Sequence, residues 1–108
     1  MLAIRRELIF TPSANQEYEA LLNNPARKGI LKKVRKTLAL IETNLRHPSL
    51  NTHEYHSLTG LNGEKVFEAY AQQKTPAAYR VFFHYGPDRT EKGKRIPVIT
   101  IIAITSHP

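Results

Sequence analysis

Arg80 stands inside the strand-like run Tyr79-Arg80-Val81-Phe82-Phe83-His84-Tyr85. Strand side chains alternate between two faces. Arg80, Phe82 and His84 therefore share one face, and Tyr79, Val81, Phe83 and Tyr85 share the other. A guanidinium among aromatic and aliphatic neighbours is costly unless its charge is matched or its tip reaches water. Two readings follow. Arg80 either pairs with Glu68 or Glu64, or stretches to the sheet edge, or it forms an anion site suited to phosphate. A second candidate is His107, which follows the apolar run Val98 to Ile104 after Thr105 and Ser106. A histidine at the end of a strand is placed for proton transfer near neutral pH; it is equally an ordinary residue of a chain end.

The segment His53-Glu54-Tyr55-His56 offers two imidazoles three apart beside a carboxylate. That set could serve acid–base chemistry. A metal would want a third ligand at fixed geometry, and no spacing supplies one; a solvated polar loop is the plainer reading. A basic stretch completes the set: Arg27, Lys28, Lys32, Lys33, Arg35 and Lys36 contain no acidic residue among them. Such a face makes salt-sensitive contacts to a phosphate backbone, although any surface helix shows lysines opposite its apolar stripe. Tyr55, Tyr79 and Phe82 are candidates for stacking on unpaired RNA bases. No Gly-rich phosphate loop, Ser-His-Asp signature or DNA-reading motif is recognisable.

The elements that must position these residues are legible in outline. Ile4 to Phe10 alternates imperfectly and predicts a strand. Thr11-Pro12-Ser13 starts a helix, with Ser13 and Gln16 in capping-box spacing, running to about Leu22. Asn24 and Pro25 cap and start a second helix that His47-Pro48 stops near Leu45. Its residues Ile30, Leu31, Val34, Leu38, Ile41 and Leu45 span an arc of about 100°. The short break predicts an antiparallel helical hairpin. Pro48 to Gly63 is polar and reads as a loop. Strands are expected over Lys65–Ala71, Tyr79–Tyr85 and Ile96–Thr105. The link between the last two, with Gly86-Pro87-Asp88 and Lys92 to Arg95, reads as a mobile basic loop. The last strand is apolar on both faces, which suggests a central position. The expected fold class is α+β: a small antiparallel β-sheet packed by an N-terminal helical hairpin, in the order β-α-α-β-β-β.

Composition sets the bounds. The chain has 108 residues, no cysteine, and 16 Lys+Arg against 9 Asp+Glu, a net charge of +7. That length makes one domain, residues 1–108. The lack of cysteine removes disulfides, thiolate nucleophiles, zinc fingers and iron–sulfur clusters, and fits a cytoplasmic location. The longest apolar run falls far short of the roughly 20 residues of a membrane helix. Arg5, Arg6 and Glu7 interrupt the N-terminus where a secretory signal would be apolar, so no membrane partner and no export are expected. The positive excess points to nucleic acid, the ribosome or an acidic protein, or serves only solubility.

The order of elements, the entry Gly60-Leu61-Asn62-Gly63-Glu64-Lys65-Val66-Phe67-Glu68, the mid-sheet Tyr79-Arg80-Val81-Phe82-Phe83 and the ending Ile101-Ile102-Ala103-Ile104-Thr105-Ser106-His107 together resemble the RelE/ParE toxin superfamily. These are toxins of bacterial type II toxin–antitoxin systems. RelE-type members cleave mRNA in the ribosomal A site, and ParE-type members inhibit DNA gyrase. The resemblance implies a domain of that fold and a cognate antitoxin as partner. It further implies action on the ribosome and mRNA, or alternatively on gyrase, with a non-toxic interaction module of the same fold as a third possibility. It implies no cofactor and no metal. The chain departs from the family in lacking the dense Lys/Arg cluster of RelE and in having no helix after the last strand.

On this resemblance Arg80 matches the strand arginine that faces the scissile phosphate, and His107 the terminal histidine that acts as general acid in some relatives. Lys65 falls near the basic residues entering the active site and would be a second cation. Glu54 or His56, with His53, lies in the segment that supplies a base in some relatives. The implied chemistry is attack of a ribose 2′-hydroxyl on the adjacent phosphate, with a cation stabilising the phosphoryl oxygens and an acid protonating the leaving 5′-oxygen. DNA has no 2′-hydroxyl and cannot follow this route.

Overall fold

Thr11 sets the first helix. Its backbone is extended, its Oγ1 accepts from the Ala14 N–H at 3.2 Å, and Pro12 fills the first helical position. The cap is thus Thr11, two residues before the expected Ser13, because Pro12 has no N–H to leave orphaned. In the computed structural model, which describes residues 5–73 and 75–107, helix α1 covers Pro12–Leu22. Asn24 caps a single 3₁₀ turn over Pro25–Arg27, its Oδ1 accepting from Ala26 N–H at 3.1 Å. Helix α2 then runs over Lys28–Thr43. Leu45 lies just beyond it, half-buried.

Strand β1 covers Glu7–Phe10; Ile4, at the start of the expected strand, lies outside the described residues. The later strands are β2 (His53–Thr59), β3 (Lys65–Tyr70), β4 (Arg80–Tyr85), β5 (Arg89–Glu91), β6 (Lys94–Ile96) and β7 (Val98–Thr105). Five of them form one sheet in the order β1-β7-β4-β3-β2, and β5 and β6 form a separate two-stranded hairpin. The last strand is central, in keeping with its two apolar faces.

Three expectations need correction. The sheet is mixed, not antiparallel: β1 runs parallel to β7, with Glu7 opposite Val98 and Phe10 opposite Ile101. Parallel neighbours need a long connection, and here almost the whole chain intervenes. Secondly, the expected loop from Pro48 to Gly63 contains strand β2. Its outer edge faces solvent, so polar residues such as His53, Glu54, His56 and Ser57 are tolerated there and mask the usual strand pattern. Thirdly, the basic link is folded into β5 and β6. Arg89 reaches Glu7 at 2.6 Å and Glu91 at 2.9 Å, and Arg95 reaches Asp88 at 2.7 Å. Pro97 separates β6 from β7, so the last strand starts at Val98 instead of Ile96.

Both helices lie on one face of the sheet. Ala14, Leu21, Leu31, Val34, Leu38 and Ile41 pack against Ala69, Val81, Phe83, Ile99, Ile101 and Ile104. Phe83 is fully buried, and truncating such a side chain to alanine costs about 3–5 kcal/mol. An irregularity in the β4–β7 register inserts Ile102 as an extra residue, so Phe82 faces Ala103 while Phe83 faces Ile101. The helix-side row therefore remains Ile99, Ile101, Ile104, and the opposite face carries Thr100, Ala103 and Thr105.

Candidate functional site on the helix-free sheet face

Register places the chemistry. Arg80 lies opposite Tyr70 on β3 and Thr105 on β7. Glu68 lies opposite Phe82 on one side and His53 on the other. Arg80, Phe82, Glu68, Tyr70 and His53 therefore share the face that the helices leave uncovered.

Glu68 is the hub. Its side chain is 4% exposed, a position where a carboxylate needs partners. One oxygen accepts from Arg80 Nη1 at 2.9 Å, and the other is paired with His53 Nε2. Arg80 is 20% exposed, and its second terminal nitrogen donates to the Ser106 carbonyl at 2.8 Å. The guanidinium carbon also sits 5.1 Å from the Phe82 ring centroid and 5.9 Å from that of Tyr55. A guanidinium has five N–H donors in a fixed fork. Two of its nitrogens are thus engaged, and Nε makes no hydrogen bond among the described residues.

His53 has half its side chain in solvent. Its Nδ1 lies 2.9 Å from the Asn51 carbonyl, and its ring is 5.9 Å from that of Tyr70. Both ring nitrogens thus face acceptors. Meeting both takes a hydrogen on each nitrogen, or one proton held between Nε2 and Glu68.

The remaining predicted residues are scattered. Glu54 and His56 contact each other at 3.2 Å, and alternation along β2 turns them away from Tyr55 and the Arg80 face. Lys65 is exposed at the opposite end of β3 from Tyr70, on the side of Phe67 and Ala69. The structure does not bring Lys65, Glu54 or His56 to Arg80. His107 is exposed; its N–H donates to Thr105 Oγ1 at 3.2 Å, one residue beyond the carbonyl that Arg80 holds. Of the stacking candidates, Phe82 is fully buried and Tyr79 packs on the helix side. Tyr55 alone of the three is near Arg80 and partly open; its ring meets Phe82 edge-on at 5.0 Å.

The basic stretch divides into two kinds. Arg27 Nη1 donates to Tyr79 Oη at 3.1 Å and lies over its ring, and Arg35 Nε donates to Tyr18 Oη at 2.9 Å. Lys28, Lys32, Lys33 and Lys36 are exposed and form no ion pair among the described residues. Lys33 and Lys36 border an open groove of about 470 Å³ that also includes Ser49, Asn51, Tyr70 and Gln73. Asn51 and Tyr70 adjoin His53, so this groove leads from the lysines to the edge of the site.

In the sequence, Glu68 figures only as a charge partner for Arg80, and His53 has no separate place. The alternation Val66, Glu68, Tyr70 marks Glu68 as a face-mate of Arg80's partners. No sequence signal reveals that Ser106 offers its carbonyl. Among the described residues no helix is long and apolar enough to cross a membrane.

No family model and no curated protein matches the chain. Among solved structures it is similar to the YoeB dimer from Staphylococcus aureus. The identity is 18% over 96% of this chain and 99% of that one, with a TM-score of 0.58. The likeness shows a shared α+β fold, two helices on a mixed five-stranded sheet.

Proposed function

We propose that this chain is the toxin of a bacterial type II toxin–antitoxin pair, acting in the cytoplasm as a ribosome-dependent mRNA interferase. The observation that carries the reading is the Arg80–Glu68–His53 group. It is an arginine and a histidine joined through one buried carboxylate, on the open face of a fold shared with YoeB, a RelE-family toxin.

Each group has a role in cleavage through the 2′-hydroxyl. Arg80 supplies N–H donors not engaged by Glu68 or Ser106 to the phosphoryl oxygens as negative charge grows on them. Glu68 fixes the His53 ring through Nε2–H. Nδ1, which directs a hydrogen at the Asn51 carbonyl in the free protein, must first give that hydrogen up to solvent; its lone pair then takes the 2′-hydroxyl proton. The 2′-oxygen bonds to phosphorus, the bond to the 5′-oxygen breaks, and His107 protonates that oxygen. The products are a 2′,3′-cyclic phosphate and a 5′-hydroxyl. The base role expected of Glu54 or His56 thus passes to His53, and Lys65 stands outside the reacting group. Arg27, Lys28, Lys32, Lys33, Arg35 and Lys36 form the surface that docks on ribosomal RNA. The same positive face suits an acidic segment of a cognate antitoxin.

The test is induced expression with mapping of mRNA ends. Growth should stop and new ends should fall within codons. Arg80→Ala and His107→Ala should each restore growth while the purified variants keep the wild-type circular dichroism spectrum. Growth arrest by both variants defeats the site assignment. Inhibition of gyrase supercoiling without RNA cleavage defeats the enzymatic reading in favour of a gyrase inhibitor.

A further inference from the structure

The cleavage scheme leaves one buried imidazole unused. His84 is 5% exposed and shares a face of β4 with Arg80, at the other end of the strand. Its Nδ1 lies 3.1 Å from the Tyr85 carbonyl. A carbonyl only accepts, so Nδ1 carries the hydrogen and donates it. Nε2 makes no hydrogen bond among the described residues, and in the neutral ring it presents a lone pair.

His84 belongs to the lining of a groove of about 500 Å³, separate from the lysine groove. Leu61, Ile102 and Pro87 supply apolar walls, and Asn62 and Glu64 supply polar edges. Leu61 is completely exposed at the tip of the β2–β3 turn. The turn is built tightly: Glu64 Oε1 accepts from the Asn62 N–H at 2.9 Å, and a Cβ on Gly60 would lie 2.2 Å from that same oxygen. Apolar walls with a few convergent hydrogen-bonding groups suit a flat heteroaromatic ring.

Position names the ring. Arg80 and His84 are four residues apart on one regular strand face, about 13 Å. If Arg80 holds the phosphate being cut, the groove lies within reach of a flanking nucleotide of the same strand. We infer that the groove takes the nucleobase of a nucleotide flanking the scissile phosphate, with His84 Nε2 accepting from its edge and Leu61 packing on its face. The groove then sets which sequences are cut. This rests on the RNA-cleaving reading above.

The experiment maps cut sites made by the purified full chain on ribosomes programmed with an mRNA library randomised around the A site. The unaltered chain should favour one base at a flanking position. His84→Ala should reduce that preference about two- to tenfold, the worth of one neutral hydrogen bond. Because His84 is buried, the exposed pair Leu61→Ser and Asn62→Ala provides a second variant whose fold is not at risk, and it should reduce the same preference. An unchanged base distribution in folded variants overturns the inference alone, and means that the groove holds something other than RNA, such as a side chain of a protein partner. Absence of any cleavage by the unaltered chain overturns the parent reading with it.

Discussion

Arg80 donates to the Ser106 carbonyl at 2.8 Å, and the next residue is His107. The cation on β4 thereby holds the chain at the point where β7 has ended and the candidate acid begins. Thr105, the last residue of β7, is its register partner across the strands. One side chain thus unites three duties: neutralising Glu68, anchoring the segment after β7 and, in the proposed reaction, meeting phosphate.

These duties separate on substitution. Arg80→Ala leaves a nearly buried Glu68 with His53 as its one side-chain partner among the described residues, and the unfolding free energy should fall by about 2–4 kcal/mol. Arg80→Lys restores a charge but not a fork, so its ammonium can reach Glu68 or Ser106 and not both. It should recover much of the stability in urea titrations while cleavage stays about 10²–10³-fold below the parent chain. Full cleavage by the lysine variant would show that the fork does not matter.

His53 is half exposed, so its removal should be felt in chemistry more than in folding. His53→Ala should lower cleavage by about 10²–10⁴-fold, with a small change in melting temperature. Added imidazole can enter the vacated space and should restore part of the rate. A purely structural His53 would give no such rescue. Glu68→Gln should remove the rescue as well, since the ring would lose the group that orients it.

Lys28, Lys32, Lys33 and Lys36 touch no acidic partner among the described residues. Their replacement by alanine should change stability by no more than about 0.5 kcal/mol each. Binding to ribosomes or single-stranded RNA should weaken, and the plot of log affinity against log salt should flatten by about 0.7 for each phosphate that is no longer neutralised. The measurement is a salt titration of binding. An unaltered slope would place the RNA on another face.

Asp88 gives a prediction in pH. The Val98 N–H donates to Asp88 Oδ1 at 3.0 Å, and Arg95 pairs with Oδ2; together they hold the carboxyl below the ordinary aspartate value of 3.8. A carboxyl whose pKa is lower folded than unfolded binds more protons in the unfolded chain. Its stabilisation is therefore complete above the unfolded value and is lost as pH falls through the folded one. The difference in melting temperature between the parent chain and Asp88→Asn should be steady from neutral pH down to about 5 and shrink below 4. A difference that persists undiminished in acid would assign the effect to packing.

The legible and illegible parts of the molecule divide on physical grounds. Helix α2 is plain in the sequence because Leu31, Val34, Leu38 and Ile41 repeat at the helical period, and β4 and β7 because long apolar runs leave few alternatives. Strand β2 is hidden because an edge strand needs partners on one side only. His53, Glu54, His56 and Ser57 satisfy that with backbone hydrogen bonds and no apolar signature. The parallel pairing of β1 is hidden for another reason: Leu8 and Ile99 meet across most of the chain's length, and no local pattern reports such a pairing. Arg80 is recognisable as an anomaly within its strand. Its neighbours Ser106 and His53 are not, since they are set by register and by the ends of elements.

The pairing of β1 with β7 also governs when this molecule comes into being. β7 is the central strand, flanked by β1 and β4, yet it follows every other element in the chain. Closing it against β1 is a long-range event, the kind that slows folding. During synthesis, β1, both helices and β2 to β4 emerge before the strand that completes their core, and an incomplete sheet exposes apolar surface and open edges. Ser106 and His107 emerge later still. A nascent chain therefore has neither a finished core nor a finished site. The core and the contact between Arg80 and the Ser106 carbonyl are therefore completed only after the last strand has left the exit tunnel.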